Sequence, residues 1–152
     1  MTYKRILIAV DGSDATEKAL DYAIDLAKNE GTTLTVLNVA ELPYSRLPTM
    51  RSKDVYGPYL NLVKESHSKI LDDAIQVIKE KAPNAQVSKL LAIGDPAKKI
   101  TEVGNTGNFD LIITGCRALT KGSQFFFGSV SKKVTKIASC PVMVVKPTIS
   151  GN

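Results

Sequence analysis

Two turns in this chain carry residue types suited to holding a phosphorylated ligand. The later one opens with Gly115-Cys116-Arg117-Ala118, runs on for nine residues, and closes with Gly128-Ser129-Val130-Ser131. Gly115 is placed to let the backbone turn sharply off a strand. Gly128 removes a side chain where the chain enters a helix, and Ser129 is placed to cap that helix. The amides of Val130 and Ser131 would then point outward from a helix N-terminus, where free N–H groups and the helix dipole favour an anion. Arg117 and Lys121 add positive charge to the same loop. The earlier turn is Asp11-Gly12-Ser13-Asp14. Asp11 suits hydrogen bonds to sugar hydroxyls, and Asp14 reads as a helix cap.

Other chemistries find little to work with. There is one histidine, His67, and two cysteines, Cys116 and Cys140, too few for a transition-metal cage or a disulfide framework. His67 falls on the apolar stripe of a helix and reads as a core or interface residue with a satisfied ring. Both cysteines read as packing residues. Phe125-Phe126-Phe127 reads as a clamp beneath its loop. No Walker pattern and no Gly-x-Gly-x-x-Gly fingerprint occurs. The net charge of +5 is spread among acidic residues rather than gathered in a block, which describes a solvated surface better than a nucleic-acid face. No apolar run reaches the roughly 20 residues that span a bilayer. The start of the chain lacks a signal-peptide core, so a cytoplasmic location is expected.

The elements that must position these turns follow from hydrophobic patterning. Residues 5–10 (RILIAV), 34–40 (LTVLNVA), 110–114 (DLIIT) and 141–145 (PVMVV) are short apolar runs typical of strands buried on both faces. Residues 86–93 alternate weakly and read as one more strand. Between them lie four helical stripes. The first runs from Ala15 to Ala27, and Gly31 lies where it should stop. The second carries Val63, His67, Ile70, Leu71, Ala74, Ile75 and Ile78, with Pro58 at its start. The third begins at Asp95-Pro96 as cap and first turn. The last includes Val130, Val134, Ile137 and Ala138. Residues 41–58 form the only long irregular stretch, and 44–59 read equally as a lid or as a plain connection. Strict β-α alternation implies a parallel sheet with helices on both faces and right-handed crossovers. Residues 1–148 are expected to form one domain, with 149–152 a short polar tail. Ligands of such sheets sit beyond the carboxyl ends of the strands, where the strand order reverses.

The chain is similar from end to end to universal stress proteins. The resemblance rests on Ile6-Leu7-Ile8-Ala9-Val10-Asp11-Gly12-Ser13, on Gly94-Asp95-Pro96, and on the segment from Gly115 to Val145. That segment includes Gly128-Ser129-Val130-Ser131-Lys132-Lys133-Val134 and Cys140-Pro141-Val142-Met143-Val144-Val145. The resemblance implies an open five-stranded parallel sheet in the order 3-2-1-4-5, Rossmann-like and of the adenine nucleotide alpha hydrolase kind. Members that bind ATP carry Gly, two residues, Gly, nine residues, then Gly with Ser or Thr. Gly115, Gly128 and Ser129 match this motif at the right spacing, and Ala118 replaces the second glycine. If that position needs a positive φ, the alanine costs roughly 1 kcal/mol or more.

By the same resemblance, adenine would lie near Val10 and the Val39 backbone, and ribose near Asp11 and Gly115, with Gly12 and Thr114 beside them. Phosphates would meet Ala118, Gly128, Ser129, Val130 and Ser131, with Arg117 nearby. The implied ligand is ATP, ADP or AMP, with Mg²⁺ or Mn²⁺ carried on the phosphates. The implied partner is a second copy, paired through Val142, Met143, Val144 and Val145. The expected role is a dimeric stress-response regulator that binds nucleotide and at most hydrolyses it slowly, since no general base stands beside the phosphates. Two alternatives stand: a member that binds no nucleotide and acts through protein contacts, and an ATP-dependent enzyme on the same sheet. The Asp11-Gly12-Ser13 turn argues against the enzyme, whose phosphate loop there would read Ser-Gly-Gly.

Overall fold

The structure is a computed structural model, and the residues it describes are 2–42, 53–116 and 128–147. Nine elements alternate along the chain: β1 (Arg5–Ala9), α1 (Asp14–Ala27), β2 (Thr33–Ala40), α2 (Lys53–Lys81), β3 (Gln86–Ile93), α3 (Pro96–Thr106), β4 (Leu111–Gly115), α4 (Ser129–Ile137) and β5 (Val142–Val145). The strands pair in the order β3-β2-β1-β4-β5, and every pairing is parallel.

Why the strands read as unbroken apolar runs is now visible. Side chains alternate between faces with a period of two, and in β1 both faces are covered. Ile6 and Ile8 join the cluster under α1 and α2, with Leu20, Ile24, Leu71 and Ile78. Leu7 and Ala9 join the opposite cluster under α3 and α4, with Ile100, Ile112 and Val134. Each such large side chain, fully buried, contributes about 1.5–3 kcal/mol. β3 lies at a sheet edge and is largely exposed, with Leu90 40% accessible. Its weak alternation is the sequence trace of that position.

Local signals set several boundaries. Asp95 caps α3 by accepting from the Lys98 amide at 2.9 Å, and Pro96 occupies the first turn, as the sequence indicates. At the opposite end of the sheet, Asp110 Oδ2 accepts the amides of Lys4 and Arg5, both at 2.8 Å. These two N–H groups, that of Arg5 foremost, hold the Asp110 carboxyl below its usual range. The Arg5 guanidinium stacks over Phe109, 5.4 Å from the ring centre.

Three expectations are corrected. Pro58 does not start α2, which begins at Lys53 and carries the proline inside it. The ring forfeits one backbone bond near the helix start, a loss the following turns absorb. The irregular stretch therefore ends before residue 53, and its residues 43–52 lie outside those described, as does the tail 149–152. Ser13 rather than Asp14 stands at the N-cap of α1, with Asp14 in the first turn where its charge suits the helix dipole. α4 ends at Ile137, so Ala138 stands at its C-cap rather than within the helix.

Candidate functional site

The sheet register brings the carboxyl ends of β1 and β4 together. Ala9 of β1 lies beside Leu37 on one side and Thr114 on the other, so the chain leaves β1 and β4 at neighbouring points. β1 leads through α1 to β2, while β4 sits on its other flank, making this the point of strand reversal. α4 returns antiparallel to its strands, so its N-terminus lies at this same end of the sheet. Val10, Asp11, Gly12, Val39, Thr114 and Gly115 therefore share the carboxyl edge with the first turn of α4.

Gly115 has a role other than the expected sharp turn. It is the last residue of β4, and its φ is not among the positive values. A Cβ there would stand 2.6 Å from the Ala15 carbonyl oxygen, so the glycine permits direct contact with the first turn of α1. Gly12 is the residue with the special backbone, at φ +78°. The Ile70 side chain of α2 lies against it, 3.3 Å from where a Cβ would be.

Asp11 is exposed at the lip. Its Oδ1 accepts the Ser13 amide at 2.9 Å and the Ser13 hydroxyl at 2.5 Å, which fixes the turn. The Ser13 carbonyl in turn accepts from the Thr16 amide and hydroxyl.

At α4 the expected cap is corrected by one residue. Gly128 is the N-cap and Ser129 the first helical residue, with no side-chain cap bond. The Ser131 hydroxyl is turned inward, 2% exposed, and donates to the Gly128 carbonyl at 3.1 Å. The Lys132 amide bonds that same carbonyl at 3.0 Å. The amides of Ser129, Val130 and Ser131 precede it, in the turn where a helix has no partners of its own to offer. Among the described residues, a Cβ on Gly128 would meet only Ser131 Oγ, at 3.8 Å. Arg117, Ala118, Lys121 and Phe125–127 lie outside the described residues.

One polar pair beneath the site has no counterpart in the motif. Asn38, a single amide within an apolar strand, is 1% exposed, and its Nδ2 donates to the Val10 carbonyl at 2.7 Å. Its Oδ1 lies 2.5 Å from His67 Nδ1. His67 Nδ1 is thus partnered, in keeping with its place on the helix stripe. Asn38 was detectable only as the lone polar residue in LTVLNVA.

Cys116 is buried, and its amide bonds the Val145 carbonyl. Among the described residues no group of three His, Cys, Asp or Glu side chains could hold a metal ion. No described helix is long and apolar enough to cross a membrane. A hollow of about 560 Å³ opens at the opposite end of the sheet, lined by Tyr3, Lys4, Phe109, Asp110 and Cys140 among others. Its chemistry is weak: the Asp110 carboxylate is already taken up by two amides, and burial pushes the Cys140 thiol up.

An open parallel five-stranded sheet in the order β3-β2-β1-β4-β5, with helices on both faces, defines a Rossmann-like α/β protein. Sequence comparison narrows this class. A family model described as the universal stress protein family matches residues 2–146, and the chain belongs to that family. The universal stress protein YxiE of Bacillus subtilis is 33% identical over 150 residues, covering 95% of this chain and 99% of its own. A universal stress protein from Archaeoglobus fulgidus, solved in complex with dAMP, is 26% identical with a TM-score of 0.67, covering 96% of this chain and 100% of its own. A family member from Arabidopsis thaliana, solved with AMP bound, shares the fold at 18% identity and a TM-score of 0.71, over 96% of this chain and 93% of its own.

Proposed function

We propose that this protein binds an adenine nucleotide at the carboxyl edge of β1 and β4 and acts as a dimeric, cytoplasmic regulator rather than an efficient enzyme. The observation that carries the reading is the contact between Gly115 and Ala15, which clamps the β4 turn to the first turn of α1. Asp11, as the sugar-binding carboxylate, and the start of α4, as the anion-binding group, complete the site in this reading. The dAMP complex of the Archaeoglobus relative supports the same ligand class.

In this reading the base lies against Val10 and the Val39 backbone, and ribose lies beside Asp11, Gly12, Thr114 and Gly115. Phosphates reach Gly128 and the amides of Ser129, Val130 and Ser131, with Arg117 and Ala118 from the intervening loop. Among the described residues only Ser131 Oγ comes near a Cβ built on Gly128, and helix-start amides suit the charge of a phosphate. A Mg²⁺ or Mn²⁺ ion would come on the phosphates and neutralise them. Ser131 contributes its amide, since its hydroxyl is occupied by Gly128. The dimer forms through β5, an edge strand of the sheet.

The test is mass spectrometry of the purified protein after gentle denaturation, with thermal shift at millimolar ATP. A released adenine nucleotide, or a rise in Tm, is expected. Neither result appearing contradicts the proposal. A second reading, a protein-interaction member without nucleotide, is favoured by Ala118 in place of the motif glycine. Ala118→Gly separates the two: conversion of a non-binder into an ATP binder supports the second reading for the natural chain.

A further inference from the structure

The nucleotide reading leaves Asn38 and His67 without a role, yet both press on the site from below. The Val10 amide donates to the Leu37 carbonyl at 2.9 Å as β1 ends. The Val10 carbonyl is then met by the Asn38 side chain at 2.7 Å, just where the chain leaves the sheet for the Asp11-Gly12-Ser13 turn. The Val10–Asp11 peptide is trans, so fixing its carbonyl also fixes the direction of the Asp11 N–H.

The chemistry of the three groups determines a proton. A carbonyl only accepts, so the Asn38 atom facing Val10 must be the NH2 group. Its oxygen therefore faces His67, and an oxygen of this kind also only accepts. His67 Nδ1, 2.5 Å away, must carry the hydrogen. Asn38 is buried, so a histidine that failed to donate would leave its oxygen unpaired at a real cost. One helical turn further along α2, Ile70 rests against Gly12. α2 thus touches the turn at two points, His67 through Asn38 and Ile70 directly.

We propose that His67, locked as the Nδ1–H tautomer by Asn38, is a positioning residue for the nucleotide site: through Asn38 it orients the Val10–Asp11 peptide, and so sets the lip on which base and ribose rest. This rests on the nucleotide reading above. The sequence separates the three residues by 28 and 29 positions, so no local signal announces the relay.

Two measurements on the full chain test it. Long-range ¹H–¹⁵N correlation of the His67 ring is expected to show hydrogen on Nδ1; a dominant Nε2–H form overturns the proposal. ATP titration of variants provides the second. His67→Ala is expected to weaken ATP about fivefold to tenfold, the scale of one lost hydrogen bond. His67→Asn, whose amide nitrogen can stand where Nδ1 stood, is expected to recover affinity to within about twofold of the original. A purely structural role would lower Tm in His67→Ala without moving the dissociation constant, and that result overturns the proposal. If the unsubstituted protein binds no ATP, the nucleotide reading falls and the positioning claim falls with it. If it binds ATP and all three proteins bind equally, only the positioning claim falls.

Discussion

Gly115 and Ala15 meet backbone to backbone, at a separation that leaves no room for a methyl group: a Cβ on Gly115 would also stand 2.8 Å from the Ala15 carbonyl carbon. The atoms in the way belong to the first turn of α1 and cannot rotate aside as a side chain could. Gly115→Ala is therefore expected to destabilise the fold by about 2 kcal/mol, within the range for overpacking a closely fitted site. Urea unfolding would measure it. A midpoint unchanged within error would show that the contact is looser than described.

Gly128 should behave in the opposite way. Among the described residues nothing but Ser131 Oγ lies near it, and its φ of −57° suits any residue. Gly128→Val is expected to cost the fold only about 1 kcal/mol, as a poorer N-cap than glycine. It should nevertheless abolish ATP binding, because the branched side chain would occupy the phosphate position. Retained affinity would mean that phosphate does not approach there.

Asp110 gives a pH signature. Two backbone amides lower its folded pKa below the unfolded value of about 3.9. A depressed carboxyl contributes stability that is present above the unfolded pKa and is lost as pH falls through the folded one. Asp110→Asn should therefore be less stable than the natural chain at neutral pH. The gap should narrow as the pH drops below about 4. Thermal melts of both proteins from pH 7 to pH 2.5 would check this, and a gap that stays constant would refute it.

β5 offers a test of the dimer. The carbonyls of Pro141 and Val145 bond β4, to Ile112 and Cys116, so the alternate residues Val142 and Val144 turn their backbone groups toward the free edge. Val144→Pro removes an edge donor while sparing the β4 ladder. Sedimentation should show a dimer for the natural chain and a monomer for the variant. A variant that remains dimeric would place the interface elsewhere.

Much of this architecture was legible because its causes are local. β1 announces itself through four consecutive apolar side chains, Ile6 to Ala9, whose alternate members serve two cores, and Asp95-Pro96 specifies both cap and first turn of α3. Pro58 misled because the usual place of proline is the first helical turn, whereas packing of Leu71, Ala74 and Ile78 stabilises α2 enough to extend it upstream. The sharp turn expected at Gly115 was not what requires a glycine there. The cause is the approach of Ala15, a hundred positions away, and sequence cannot display such a contact. The Asn38–His67 pair was missed on the same ground, although a partner for the histidine was readable from its helix face. Gly128 and Ser129 exchanged cap and first-turn roles, a shift of one residue that leaves the helix start in place.

The most direct test is an ATP titration of ¹⁵N-labelled protein followed through backbone amides. Gly12, Ser129, Val130 and Ser131 are expected to shift and saturate together, while Lys4 and Phe109 at the far end of the sheet stay still. Saturable shifts confined to that far end, or none at millimolar ATP, would contradict the proposed site.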